Sequence, residues 1–188
     1  TEPIRAVRRG RQRRNQTGGL IMKLGILTSI FGNYNFEQVL DMTSEFGLEC
    51  MEVACWPQGE GERRYAGVCH IDCENFTDEE AHTIINKCEE KKIFISALGF
   101  YANLMDENLE KRKENIQHFM KVIDVSAKLN INMVTGFLGR MQHKTLEENL
   151  KAVKEIWTPI IHYAESKKVR IAIENCPMLF TQDEWPGG

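Results

Sequence analysis

Three absences narrow what this chain can be. No apolar run approaches the roughly 20 residues that a membrane-spanning helix needs, so a membrane protein of that kind is excluded. The first 21 residues contain no hydrophobic stretch, which removes a secretory signal. No Gly-x-Gly-x-x-Gly follows the first apolar run, so a dinucleotide-binding reading lacks its main support. The cysteines are also unpatterned. Cys50, Cys55, Cys69, Cys73, Cys88 and Cys176 are scattered and come with no signal peptide, so a disulfide framework is not expected and a cytoplasmic setting is. Cys69-His70-Ile71-Asp72-Cys73 holds metal-ligand types. A Cys-x3-Cys with one histidine has no second half elsewhere, however, and a zinc site is not expected there.

What is present is ordinary for a soluble globular protein: 42% hydrophobic and 27% charged over 188 residues, enough chain for one substantial core. The net charge of −3 hides an asymmetry. Arg5, Arg8, Arg9, Arg11, Arg13 and Arg14 face a single acid, Glu2, in residues 1–21, so everything after them is markedly acidic. An acidic body counts against a nucleic-acid surface. Residues 1–21 read as a basic, disordered extension, and residues 22–188 as the folded unit.

Along that unit, apolar runs alternate with helical periodicity. Strands are expected at 24–30, 50–55, 93–98, 131–137 and 169–174. Asn35 is placed to cap a first helix that Gly47 ends. Thr77-Asp78-Glu79-Glu80 and Thr145-Leu146-Glu147-Glu148 have the capping-box pattern and open the second and fourth helices. The third helix spans about 109–129, with Ile116, Phe119, Met120, Ile123 and Ala127 on one face. Pro159 falls inside the fourth helix and predicts a kink. Strands and helices in this alternation define an α/β fold with a parallel sheet covered by helices. A (β/α)8 barrel typically takes about 250 residues, so five strands and four helices correspond to an amino-terminal part of one, a partial TIM barrel.

The stretch 169–177, Val-Arg-Ile-Ala-Ile-Glu-Asn-Cys-Pro, ends an apolar strand in a carboxylate. A charge there is costly inside a core, yet the carboxyl end of a parallel strand is where such folds bind ligands. Ile171-Ala172-Ile173-Glu174-Asn175, the Trp157-x-Pro159 helix and the opening Leu24-Gly25-Ile26 resemble the xylose isomerase-like TIM barrels. Within these the chain is similar to the sugar phosphate isomerase/epimerase group.

That resemblance implies one divalent metal (Mn, Mg, Co or Zn), held by a Glu after strand 5, an Asp after strand 6, a His after strand 7 and a Glu after strand 8. Only the first has a counterpart here, Glu174. It also implies proton transfer next to a sugar carbonyl through an enediolate, with Glu174 both a metal ligand and one of two acid/base carboxylates. The second carboxylate is expected beyond Gly188, so the 188 residues alone are expected to be inactive. Phe180 stands where some epimerases of the group carry a further carboxylate, six residues past the strand-5 Glu.

Other candidates lie at strand exits. Asn175 is placed to orient Glu174 or to touch substrate. Glu52 sits between apolar neighbours in the second strand, where it is either near the site or paired with a cation. His70 on the loop after that strand is a candidate substrate contact, Trp56, Phe100 and Tyr101 are candidate walls of a sugar site, and Arg140 is a candidate partner for a phosphate or carboxylate. The bland alternatives are core packing for the aromatics and solvation or packing for His118 and His162 within helices.

Two rival functions share these features. A metal-dependent apurinic endonuclease uses the same barrel but has His ligands after strands 3 and 4. Here those exits read Leu98-Gly99-Phe100-Tyr101 and Phe137-Leu138-Gly139-Arg140. A non-catalytic barrel fragment or interaction module would expose its first and last strands as edges that invite homo-oligomerisation. The partners expected are therefore a small sugar and a second copy of the chain, with no nucleic acid and no membrane.

Overall fold

Five parallel strands alternate with four helices and pair side by side in the order of the sequence. The structure, a computed structural model, describes residues 22–59 and 66–174. The elements are β1 (Gly25–Leu27), α1 (Phe36–Glu45), β2 (Cys50–Ala54), α2 (Asp78–Lys91), β3 (Phe94–Gly99), α3 (Leu109–Lys128), β4 (Met133–Phe137), α4 (Leu146–Ser166) and β5 (Arg170–Glu174). The chain thus has the partial-barrel architecture expected of it.

Local chemistry explains the boundaries. Asn35, Thr77 and Thr145 each accept a hydrogen bond from the backbone three residues on. Gln38, Glu80 and Glu148 reach back to the cap, so all three helices open with a complete capping box. Each helix is followed by a left-handed residue: Gly47, Lys92, Asn130 and Lys168. Only the first is glycine, so the others carry a side chain where it costs about 1 kcal/mol or more. α4 continues through Pro159 to Ser166 as one helix, and the Thr158 hydroxyl donates to the Lys154 carbonyl at 2.5 Å beside it.

The first strand differs from expectation. It stops at Leu27, and Thr28–Phe31 forms a 3-10 turn in place of continued strand. Thr28 is buried, and its hydroxyl accepts from the Ala54 backbone N–H at 2.9 Å. That long-range bond draws the chain out of the sheet.

One sheet face is covered by the helices. Met51 and Val53 of β2, Leu98 of β3 and Val134 of β4 meet Val39, Leu40, Phe119, Val122, Ile123, Trp157 and Ile160 in a continuous core. Burying each such side chain contributes about 1.5–3 kcal/mol. Phe100, just past β3, lies edge-on to Trp56, His118 and, tilted, near Phe119, which in turn meets Trp157 edge-on. The opposite sheet face carries the polar side chains. Its rows follow from the register: Leu27 beside Glu52 and Ala97, then Ala54 beside Gly99, Thr135 and Ala172, then Phe137 beside Glu174. An irregularity in the β2–β3 register places Ser96 opposite no partner, and its hydroxyl donates to the Met51 carbonyl at 3.2 Å.

Candidate functional site

Glu174 is the last residue of β5, exposed at the carboxyl end of the sheet on the face that also carries Glu52, Thr135 and Phe137. Strand alternation puts it there: Ile171 and Ile173 point the other way, and Ala172 and Glu174 share the inner face.

Glu52 anchors the other side of that face. Its Oε1 accepts the Thr135 hydroxyl at 2.6 Å and the Tyr101 hydroxyl as well. The described partners of this carboxylate are therefore two hydroxyls rather than a cation. The backbone makes room for it: a Cβ on Gly99 would lie 2.8 Å from Glu52 Oε1 and 2.9 Å from the Tyr101 ring. Glycine is needed at 99 because the carboxylate already fills that space. Burial, then the Glu52 charge, push the Tyr101 hydroxyl up from the ordinary phenol range. Glu174 adds to the rise, and the Thr135 bond opposes it. Tyr101 also packs on Phe137, with ring centroids 5.0 Å apart.

The remaining candidates are arranged around this rim. Trp56 packs edge-on against Phe100 at 5.0 Å, and Phe100 itself is buried core rather than wall. His70 is 8% exposed. Its Nδ1 pairs with the Thr28 hydroxyl at 2.9 Å, and its Nε2 lies 3.3 Å from the Phe31 carbonyl. Both nitrogens are thereby engaged in holding the turn after β1 against the segment after β2. Burial lowers its pKa below 6.5, the backbone carbonyls opposing.

Arg140 is fixed through its backbone. Asn103 accepts the Arg140 N–H at 2.8 Å and donates to the Arg140 carbonyl at 2.8 Å, tying the β3 and β4 exits together. The Arg140 guanidinium donates to the Gln142 carbonyl at 3.4 Å. Asn175 lies outside the described residues.

Sequence reasoning missed three participants. Thr135 completes the Glu52 site, Asn103 braces two loops, and Asn149 bonds the Met141 backbone in both directions at 2.8 and 3.0 Å to brace the entry to α4. The only signal for Thr135 was a hydroxyl in an otherwise apolar strand. His118 is 5% exposed and packs on Phe100, and its Nε2–H donates to the Cys55 carbonyl at 2.7 Å, in line with a packing role.

As to metal, Glu174 supplies a carboxylate oxygen of the kind that hard divalent ions take, so it fits as one ligand. Among the described residues, no group of three or more metal-ligating side chains converges. No described helix is long and apolar enough to cross a membrane.

Five parallel strands in sequence order with four covering helices define a partial parallel α/β barrel. Residues 40–185 match the family described as xylose isomerase-like TIM barrel, and the chain belongs to that family. No curated protein matches the sequence.

Several solved structures share the fold. A D-psicose 3-epimerase determined in the presence of D-fructose is 20% identical, with a TM-score of 0.61 over 82% of this chain and 52% of its own. A putative xylose isomerase from Rhodospirillum rubrum is 15% identical, with a TM-score of 0.63 over 84% and 55%. An IolI protein with a bound zinc atom is 16% identical, with a TM-score of 0.58 over 81% and 51%. The chain therefore spans about half the length of the structures it matches.

Proposed function

We propose that this chain contributes the first five strands of a divalent-metal-dependent sugar, or sugar phosphate, isomerase or epimerase. The observation that carries the reading is the place of Glu174, at the carboxyl end of β5 on the sheet face shared with Glu52 and Thr135. Family membership supports it.

In this reading Glu174 would be one of the groups that hold the metal, and its carboxylate moves a proton at the carbon beside the substrate carbonyl. A bound divalent metal would supply Lewis-acid chemistry at that carbonyl. Glu52 keeps the Tyr101 and Thr135 hydroxyls turned into the site, where they orient sugar hydroxyls. Trp56, Arg140 and Asn175 supply the rim, His70 holds the turn beside it, and Trp56 offers an apolar surface to a pyranose or furanose face. The second acid/base carboxylate is not assigned to the described residues, and no turnover is expected of the 188 residues alone. A small sugar is the partner, and metal identity stays within Mn, Mg, Co and Zn.

The test is a Mn2+ titration of the protein that carries the remaining strands, wild type against Glu174→Ala, read by electron paramagnetic resonance. Weaker binding in the variant is expected, and equal affinity removes the metal role. Incubating ketoses in D2O with the protein that carries the remaining strands tests the chemistry. Deuterium should wash into the carbon next to the carbonyl with wild type and not with Glu174→Gln.

A further inference from the structure

The proposed sugar site leaves three thiols unused beside it. Cys55 is the residue after β2, and it forms an isolated antiparallel bridge with Cys69. Two backbone bonds frame the pair: Trp56 N–H to the Val68 carbonyl at 3.2 Å, and His70 N–H to the Ala54 carbonyl at 2.9 Å. Bonds that flank the pair, with none between its own members, mark a non-hydrogen-bonded position. There the two Cα atoms come to about 4.5 Å and the side chains are closer than elsewhere in a ladder. Disulfides span Cα separations of about 4.4–6.8 Å. The backbone therefore sets Cys55 and Cys69 at a Cα separation that a disulfide spans, and rotation of the thiols completes the approach.

The geometry points to Cys55 and Cys69 as an oxidisable dithiol that closes into a cross-strand disulfide. Cys55 is fully buried and Cys69 is half-buried, so a small oxidant meets Cys69 first. With a low-molecular-weight disulfide such as glutathione disulfide, the Cys69 thiolate attacks one sulfur. A mixed disulfide forms and one thiolate leaves. Cys55 then attacks the Cys69 sulfur, forming the Cys55–Cys69 bond, and its proton passes to the second thiolate as that leaves. Two protein thiols are oxidised and one small disulfide is reduced to two thiols.

Cys73 is the competitor. It is buried, its thiol neighbours that of Cys55, and it donates to the Ile71 carbonyl at 3.7 Å. It has no backbone register with Cys55, which is why the pairing falls to Cys69. Burial, reinforced by Asp72 and Cys73, pushes the Cys69 thiol up to about 12. Exchange is accordingly slow at neutral pH and quickens about tenfold for each pH unit as the thiolate fraction grows.

The bond would have a local consequence. The residue after Cys69 is His70, which holds the turn after β1, and the residue after Cys55 is Trp56, which packs on Phe100. Oxidation would lock the β2 side of the rim. This inference stands on the backbone pairing and not on the sugar reading.

The test exposes the folded 188-residue chain to glutathione disulfide at about pH 8 and about pH 9, followed by alkylation and intact mass. The expected product is lighter by two hydrogens before alkylation, carries two fewer alkyl groups, and forms about tenfold faster at the higher pH. Cys69→Ser should abolish it, and Cys73→Ser and Cys50→Ser should retain it. Circular dichroism confirms that each variant is folded. Cys69 is half-exposed, so its serine variant is the one least prone to unfold. A chain that keeps all its free thiols at both pH values overturns the proposal. Retention in Cys69→Ser with loss in Cys73→Ser also overturns it, by reassigning the bond to Cys73.

Discussion

Replacing Glu52 by alanine removes the acceptor for two hydroxyls at once, and the structure sets how large the effect should be. Tyr101 and Thr135 both donate to Glu52 Oε1 in a half-buried setting. A hydrogen bond to a charged acceptor contributes about 1.5–3 kcal/mol, and partial exposure places both bonds at the low end. Thr135 also has the Leu98 carbonyl at 3.4 Å to fall back on, so more of the loss falls on Tyr101. Glu52→Ala should therefore cost about 2–4 kcal/mol and Tyr101→Phe about 1–2 kcal/mol. The double variant should cost less than the sum, with a coupling of about 1–2 kcal/mol. Urea unfolding of the four proteins at one pH gives all the terms. Additivity within about 0.5 kcal/mol would refute the idea that the carboxylate and the phenol act as a unit. In Glu52→Gln, the Tyr101 phenol should titrate nearer its ordinary range, because the Glu52 charge is the second cause of its rise after burial.

Three further expectations follow from the same structure. Gly99→Ala pushes a methyl group to 2.8 Å from Glu52 Oε1 and should destabilise by about 1–3 kcal/mol; a variant as stable as wild type would show that the carboxylate is free to move. Lys92→Gly removes a side chain from a left-handed residue and should stabilise by about 0.5–1 kcal/mol, measured as a rise in the urea midpoint. Acid should weaken the fold in a defined window. The carboxyls of Glu80 and Glu148, each bonded by its cap, and of Glu74, bonded by Lys121, lie below their ordinary range, so their contribution is complete above about pH 4.5 and is lost as pH falls through the lowered values. Burial disfavours protonated His70, which subtracts stability below about pH 6.5. Urea midpoints across this range should fall less steeply in Glu80→Gln, and an unchanged slope would remove the capping carboxyls from the account.

The parts of the fold that were legible in the sequence are those specified by neighbours in the chain. Thr77 with Glu80, and Thr145 with Glu148, are three residues apart, and both capping boxes formed as read. Asn35 and Gly47 also close their helix as expected. What escaped depends on distant partners. β1 ends early because Thr28 turns to Ala54 and His70, 26 and 42 residues away. Glu52 was legible as an anomaly in an apolar strand, but its partners lie 49 and 83 residues on and are assembled only by strand register. A cation was the expected alternative, and hydroxyls stand there. Glu174 was readable because strand end and carboxylate coincide in one short segment. The expectation for Asn175 rests on a residue outside those described.

The sheet has a further property with a consequence for how the molecule is made. Among the described residues every strand pairs only with its predecessor and successor in the chain, and none is inserted between two earlier ones. Order along the chain is therefore order across the sheet. Each new βα unit can add to an edge already made, yet every parallel pairing still closes a helix-long crossover, the kind of non-local contact that slows folding. The edge offered last among the described residues is β5, where Ile173 is 44% exposed. A nascent chain of this design presents a docking rail at every stage, and among the described residues the last such rail is the strand that carries Glu174.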